Sequence, residues 1–322
     1  MTHFPFKVLN KVYCCWSADI RKTNKEFIES MDPEYFLFAA EKFRNSLNGE
    51  DDQKAALAIR NIYHHSLETL FTLICATIQA PYCIYGWMNM AKIGDVRAVL
   101  KLIGSNKKFY NFLAMEFVDW QSFAEKIFLI DTINKINQKV IELASMYSKL
   151  WSSMCNQYLN DHSIKEYNSI KHGFRSKPGG WRFSFGPINT GNNTSPKKEM
   201  FSFGDTKYGS SFHVIKAING LPEKDCNIQA SKYSVNWDPV ALLNDIKLVS
   251  ISIHNILTFL KIAHDVDPLK VTFLAPDNLR FFEEHQKSVV KTSYMKLSME
   301  LSNHNIKKFT KEELENMMQV EV

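Results

Sequence analysis

The sequence predicts a mainly α protein, a helical bundle that carries a small antiparallel β insertion. Before residue 160 and after residue 238, apolar side chains recur every three to four positions, as the buried face of a helix requires. Residues 176–235 lose that period and alternate in steps of two between glycines and prolines, which is typical of short strands. We therefore divide the chain into a helical bundle over 1–175, the β insertion over 176–235, and C-terminal helices over 236–322 that pack on the same bundle.

The strongest predicted helix of the bundle covers residues 53–79. Its apolar positions keep the helical period for about seven turns, and Pro81 ends it because proline cannot continue a helix. A short extended piece and a helix over 33–43 precede it. A helix over 94–102 and a much longer one over 119–159 follow, joined by short polar breaks that suit antiparallel neighbours.

The β insertion is expected to contain strands at 181–185, 200–203 and 212–218, each with alternating side chains. We interpret its cations as solvated surface charges, with a contribution to a groove for polyanions as the alternative. These cations are Arg182, Lys197, Lys198 and Lys207.

The C-terminal part begins at Asp238 and Pro239, a cap and first-turn pair that starts a helix running to about residue 264. A short strand at 270–274 and a charged helix at 277–289 are expected next. Another capping box then starts a terminal helix at residue 310.

The charge balance leaves several functions open. Thirty-nine Lys and Arg residues oppose 34 Asp and Glu, a net charge of +5, and the pI is about 8.7. Such a chain is compatible with a polyanionic partner but is far from the composition of a dedicated DNA-coating protein. We find no run of about 18 apolar residues that would span a bilayer and no long apolar N-terminal segment. We expect a soluble, cytoplasmic protein without a membrane partner.

The sequence indicates no metal and no cofactor. Its six cysteines form no CxxC pair and no zinc spacing, which favours reduced thiols in a cytosolic protein. A di-metal carboxylate bundle needs Glu-x-x-His pairs on two helices, and the chain offers only a reversed pair at 65–68 and an isolated His285. The glycines at 204 and 209 lack the spacing of a phosphate-binding loop.

The polar stretch 161–175 is the main candidate site. Ser163 and Glu166 have the spacing of a capping box, and Gly173 is suited to close the helix after His172. Within this short helix, the side chains at 168 and 172 lie one turn apart on one face, and three basic groups gather near the C-terminal end, where the helix dipole favours cations. Three basic groups beside an asparagine exceed what capping demands. The candidate catalytic residues are His172, Lys171, Asn168 and Arg175.

Two stretches share a spacing. Residues 60–65 read Arg-Asn-Ile-Tyr-His-His, and residues 167–172 read Tyr-Asn-Ser-Ile-Lys-His. With the run His-His-Ser-Leu-Glu-Thr-Leu-Phe at 64–71, these helices resemble the higher-eukaryote-and-prokaryote nucleotide-binding (HEPN) superfamily of helical bundles, whose later helix carries an Arg-x4-His motif, frequently with asparagine second. The resemblance covers about residues 53–175. It implies a metal-independent ribonuclease that binds RNA, of a kind common in toxin and antiphage systems, and a homodimer that pairs its motif helices across a two-fold cleft.

Carried over by position, the resemblance implies that His172 is the acid/base and Asn168 its polar partner, while Tyr167 replaces the motif arginine. Tyrosine cannot supply the charged planar fork that would hold the scissile phosphate. Either Lys171 or Arg175 takes that role, or the site is inactive, or the working motif is the earlier one. The secondary candidates are therefore Arg60 and His65.

Two alternatives do without catalysis. On the earlier helix, Arg60, His64 and Glu68 fall at successive turns and can form an ordinary exposed charge ladder, with His65 about 140° away from Arg60. For the whole protein, the rival is a non-enzymatic helical scaffold or protein-interaction module that has lost the catalytic arginine. The residue at 167 is the main argument for that rival.

Overall fold

Two compact units make up the chain in the computed structural model, which describes residues 2–17, 19–129, 138–172, 175–185, 201–204, 206–217, 228–301 and 310–319. One unit comprises Met1–Ile164 and Asp238–Lys291, and the other comprises Lys165–Trp237 and Thr292–Val322. Helices dominate the first unit, and antiparallel strands dominate the second. The predicted mainly α fold is confirmed.

The secondary structure elements follow one another along both units. The helices are α1 (Ile20–Ser30), α2 (Tyr35–Arg44), α3 (Asp52–Gln79), α4 (Ile84–Met90), α5 (Ile93–Leu102), α6 (Trp120–Ile127), α7 (Gln138–Leu159), α8 (Asp161–Lys171), α9 (Pro239–Ala263), α10 (Arg280–Lys291) and α11 (Lys311–Gln319). The strands are β1 (Thr2–Val8), β2 (Lys11–Ser17), β3 (Ser176–Pro178), β4 (Phe183–Phe185), β5 (Phe201–Phe203), β6 (Gly209–Ala217), β7 (Ile228–Asn236) and β8 (Ser293–Leu301). The boundary between the units falls within α8.

The core of the first unit is built on α3 and α9, which pack against each other. Leu70 and Ile74 of α3 and Ile246 and Ile256 of α9 are fully buried. Asp238 caps α9 by accepting a hydrogen bond from the backbone N of residue 240, as the sequence predicts. Both helices match their predicted bounds closely because period, cap and stop signals agree for each.

The apolar helix α9 is a core helix. Of the described residues, it is the one helix long and apolar enough to cross a membrane, yet 67% of its most apolar 18-residue window is buried inside the protein. Its apolar surface is used in packing.

The second unit contains a four-stranded antiparallel sheet with the strand order β3-β6-β7-β8 and a separate pair, β4 and β5. In the sheet, Lys177 lies opposite Ser211, which lies opposite Ser234, which in turn lies opposite Met295. The predicted strands at 181–185, 200–203 and 212–218 correspond to β4, β5 and β6, except that residues 200 and 218 lie outside the described residues.

The C-terminal part differs from the prediction. The segment 236–322 divides between the units, since β8 joins the sheet instead of lying with helices on the bundle. Neither β7 nor β8 is predicted from the sequence. The expected strand at 270–274 does not form, because Asn255 of α9 binds both the backbone N and the carbonyl of Leu274 and leaves no strand partner. The terminal helix does begin with a capping box, in which Thr310 and Glu313 exchange hydrogen bonds.

The long helix predicted over 119–159 consists of α6 and α7, and residues 130–137 between them lie outside the described residues. The shorter helix predicted over 33–43 corresponds to α2, and the one over 94–102 corresponds to α5. The early extended piece is a hairpin of β1 and β2.

A buried histidine predicts a pH dependence of stability. His264 ends α9, and its Nε2 lies 2.8 Å from Nδ2 of Asn24 and 3.1 Å from the carbonyl O of Pro81. Burial lowers the pKa of His264 below its ordinary value of 6.5. As the pH falls, the unfolded chain therefore binds a proton at this imidazole before the folded chain does. The stability that the neutral imidazole contributes is fully present above pH 6.5 and is lost as the pH falls through the lowered pKa.

We expect the free energy of unfolding of the wild type, relative to that of His264→Gln, to decrease between pH 7.5 and pH 5. Glutamine fills a similar space and does not titrate, so the comparison isolates this group. Urea denaturation at several pH values measures it. A difference that is constant with pH would contradict the assignment.

Candidate nucleic-acid interface

The start of α8 differs from the predicted capping box. The helix begins at Asp161, and Asn160 Oδ1 accepts a hydrogen bond from the backbone N of His162. Ser163 and Glu166 are both buried, so neither serves a helix start exposed to water. The predicted pair has the right spacing for a cap, but it lies inside the helix.

Glu166 fixes the second half of α8 to the sheet. Its side chain is 0% exposed, and Oε1 accepts hydrogen bonds from Ser210 Oγ at 2.6 Å and from Trp237 Nε1 at 3.1 Å. Ser210 lies on β6, and Trp237 directly follows β7. A buried carboxyl group is stable in a protein only with such partners, so Glu166 holds the C-terminal end of α8 in place.

Tyr167, which occupies the position of the motif arginine, is an inward-facing side chain with 7% exposure. Lys171 Nζ lies 5.2 Å from the centre of its ring. Position 167 therefore contributes packing and a cation–π contact, and it presents no group to a substrate phosphate.

The four predicted catalytic residues gather at the C-terminal end of α8. Asn168, Lys171, His172 and Arg175 are all exposed. The backbone N of Arg175 donates to the carbonyl of Ser169 at 2.8 Å, and Arg175 Nε donates to the carbonyl of His172 at 3.0 Å. These two bonds bring the guanidinium of Arg175 back to the helix end. The predicted closing residue, Gly173, lies outside the described residues.

Arg175 also belongs to a cationic cleft of about 600 Å³ on the second unit. Four basic side chains and one imidazole line this cleft, and none of the described side chains that line it is a carboxylate. They are Arg175, Lys177, Arg182, Lys232 and His213. The cleft lining does not include Asn168, Lys171 or His172. Of the four predicted residues, Arg175 alone connects the cluster to the cleft.

Part of the cleft forms on one face of the sheet, because successive side chains of a strand point to opposite faces. His213 on β6 lies directly opposite Lys232 on β7, and both are exposed on the same face as Lys177. The other face buries Phe212 and Tyr233, whose rings stack with centroids 5.5 Å apart. One face of the sheet is therefore apolar and packed, and the other is cationic and open.

Three of the four cations of the cleft have no carboxylate partner among the described residues. Within the described part of the chain, no ion pair includes Arg175, Lys177 or Lys232. Arg182 is held by the neutral hydroxyls of Ser184 and Ser202, at 3.2 and 3.0 Å. Like charges held close together repel one another unless an anion binds, which makes the cleft attractive to a polyanion.

The edge of the cleft is rigidly built. Asn236 accepts a hydrogen bond from the backbone N of Trp181 and donates to the carbonyls of Trp181 and Gly204. A side chain at Gly180 would collide with the backbone of Thr206, so only glycine fits there. Trp181 thus lines the cleft from a fixed backbone.

The secondary candidates of the first unit are not brought together on one accessible surface. Arg60 is 3% exposed, with its guanidinium carbon 5.7 Å from the centre of the Tyr63 ring. His65 is exposed and packs on Phe36 with ring centres 5.4 Å apart. The expected exposed ladder of Arg60, His64 and Glu68 is corrected too, because the first two are buried.

The sequence does not predict three residues that line the cleft, Lys177, His213 and Lys232. The alternation of Ser211 with His213 was the available local signal, but the pairing that completes the cleft is long-range. Of the four cations first interpreted as solvated, Arg182 lines the cleft and Lys207 does not, while Lys197 and Lys198 lie outside the described residues.

Comparisons with protein-family models, with curated proteins and with solved structures find no match to this chain. Across the described residues, no group of three or more His, Cys, Asp or Glu side chains is arranged to hold a metal ion.

Proposed function

We propose that the protein binds single-stranded RNA in the cationic cleft of its second unit and cleaves it with His172 as the acid/base. The observation that carries this proposal is the cleft itself, which is lined by four cations and a histidine and has no carboxylate among its described lining residues. Phosphate contacts from Lys and Arg supply most of the affinity of proteins for nucleic acid.

Single-stranded RNA fits the cleft better than a duplex does. Trp181 lines the cleft beside the cations, and aromatic side chains next to basic ones are the usual platform on which unpaired bases stack. The cleft lies on a sheet face, and no described helix lines it in the way that a recognition helix enters the major groove.

We assign the chemical step to His172, which is exposed at the end of α8. Arg175 lines the cleft, and its Nε donates to the carbonyl of His172. In the proposed step, the imidazole takes the proton of a ribose 2′-OH, and that oxygen forms a bond to the adjacent phosphorus while the bond to the 5′-oxygen breaks. The leaving 5′-oxygen takes up a proton, and Lys171 and Arg175 offset the charge that develops on the phosphate oxygens. The products are a 2′,3′-cyclic phosphate and a 5′-hydroxyl.

The test is incubation of the purified protein with total RNA in the presence of EDTA, followed by analysis of the new ends. We expect cyclic phosphate and 5′-hydroxyl ends, and a loss of about 10²- to 10⁴-fold in cleavage rate for His172→Ala, the usual contribution of general acid–base catalysis. His65→Ala in the first unit is the matched control and should cleave normally. Unchanged cleavage by His172→Ala would reject that residue as the acid/base.

RNA binding without cleavage, in a scaffold or interaction role, is the second candidate. It is favoured by Tyr167, which is buried where the HEPN motif has its arginine. A chain that binds RNA in the cleft yet generates no new ends would support it. The resemblance to HEPN proteins is also the ground for proposing a cytoplasmic homodimer, because their motif helices pair across a two-fold axis and each chain supplies part of the positive charge.

A further inference from the structure

Three polar side chains meet between helices of the first unit, and none of them belongs to the proposed RNA site. His285 of α10 places Nδ1 2.8 Å from Asp245 Oδ1 of α9 and Nε2 3.0 Å from Ser153 Oγ of α7. His285 is 2% exposed and Asp245 is 3% exposed, while Ser153 is half-buried. Two consecutive hydrogen bonds thus join a carboxylate, an imidazole and a hydroxyl.

The hydrogen bonds select one tautomer of the imidazole. A carboxylate only accepts, so Nδ1 of His285 carries the proton that is donated to Asp245. In the neutral imidazole, the lone pair of Nε2 is then directed at Ser153, whose hydroxyl donates to it. This is the arrangement in which a histidine activates a serine as a nucleophile, with the carboxylate orienting the ring.

Ser153 behaves differently from other hydroxyls on the helices of this unit. A serine or threonine within a helix commonly donates to a carbonyl three or four residues earlier in its own helix. Such bonds are made by Ser66, Thr72, Thr77 and Ser252, at 2.6 to 2.8 Å. Ser153 Oγ instead makes its hydrogen bond with Nε2 of His285, 3.0 Å away.

A cavity of about 220 Å³ lies beside this triad. His285 is part of its wall, with an apolar lining of Met146, Leu150, Leu279 and Phe282. The lining does not include Ser153, whose Oγ lies 3.0 Å from Nε2 of the lining residue His285. At roughly 30 Å³ per water molecule, the volume corresponds to about seven waters, enough for a short acyl chain.

We propose that Ser153, His285 and Asp245 form a second active site that hydrolyses esters of short, apolar carboxylic acids. His285 Nε2 takes the proton of Ser153 Oγ as the oxygen forms a bond to the ester carbonyl carbon, and the carbonyl oxygen takes the negative charge. Collapse of this intermediate breaks the bond to the alkoxide, which leaves with the proton from His285. Water, deprotonated by the same imidazole, then attacks the acyl-serine and releases the acid.

The apolar wall of the cavity suits the acyl chain. Its polar lining residues are Lys149, Arg280, Gln286 and Glu283, of which the first three carry hydrogen-bond donors for the oxyanion. An alternative without chemistry is a buried polar network that only ties α7, α9 and α10 together. The two differ in whether the hydroxyl of Ser153 is nucleophilic.

The experiment is labelling of the full-length protein with a fluorophosphonate probe, located by mass spectrometry, together with hydrolysis of p-nitrophenyl butyrate. We expect one adduct on Ser153, no adduct in Ser153→Ala, and normal labelling in the neighbouring control Ser152→Ala. Asp245→Asn keeps the shape of the acid but favours the wrong tautomer, so ester hydrolysis should fall by about 10²- to 10⁴-fold.

Two outcomes would show that the cluster is only a structural network. One is the absence of an adduct on Ser153 in the folded wild type, and the other is equal labelling of the wild type and His285→Gln. Thermal unfolding of each variant separates loss of reactivity from loss of fold, and Ser153→Ala, which removes one oxygen, remains informative if a histidine variant fails to fold. RNA cleavage by Ser153→Ala should equal that of the wild type, so the two proposed sites are tested independently of each other.

Discussion

Replacement of both Lys177 and Lys232 by glutamate is expected to weaken binding of single-stranded RNA on the order of 100-fold near physiological salt. Both side chains lie on the open face of the sheet and line the cleft, so each reversal removes a phosphate contact and adds repulsion. Loss of two phosphate contacts should also reduce the slope of log K against log salt by about 1.4. Fluorescence anisotropy with a labelled oligonucleotide at several salt concentrations measures both effects.

The matched control is the reversal of two exposed lysines of the first unit, Lys101 and Lys270, which changes the net charge by the same amount. We expect this pair to lower the affinity only slightly, because neither lysine lines the cleft and exposed charges outside a binding site are screened by salt. Equal weakening by the two pairs would mean that RNA responds to the overall charge of the protein and that the cleft is not the binding site.

Glu166→Ala is expected to lower the free energy of unfolding of the second unit by about 2 to 4 kcal/mol. The substitution leaves two buried donors, Ser210 Oγ and Trp237 Nε1, without their acceptor, and each unsatisfied group costs about 1 to 3 kcal/mol. Glu166→Gln keeps an acceptor oxygen in the same place and should lose less than half as much. Chemical denaturation gives the free energies, and hydrogen exchange of β6 and β7 shows which unit is affected.

Two results would contradict this account of Glu166. An alanine variant as stable as the wild type would mean that the carboxyl group contributes no net stability. A glutamine variant as unstable as the alanine variant would mean that the charge matters more than the acceptor position. Loss of RNA cleavage together with loss of stability in Glu166→Ala would further indicate that the C-terminal end of α8 depends on this anchor.

The helices were predictable where several local signals agreed. In α9, the cap at Asp238, the proline after it and the apolar period all indicate the same helix, and the structure contains it. Glu166 shows the limit of such signals, because its spacing from Ser163 matches a capping box while burial assigns it another partner. The distinction depends on Trp237, which is far away in sequence.

The candidate sites were harder to predict because their residues meet through long-range packing. Lys177 and Lys232 share a face only through the register of β3, β6 and β7, and β7 shows no strong pattern on its own. Ser153, Asp245 and His285 come from three helices and share no local spacing. By contrast, the cluster around His172 lies within one helix end, so its exposure could be predicted from the sequence.

The division of both units into two chain segments has a consequence for biosynthesis. The sheet needs β8, which follows α9 and α10, and the core of the first unit needs α9 to cover α3. A ribosome that has released only the first 237 residues has therefore made neither unit complete. Until the later segments emerge, the apolar side of α3 and the unpaired edge of β7 are open to wrong partners, which makes the nascent chain a natural client for chaperones.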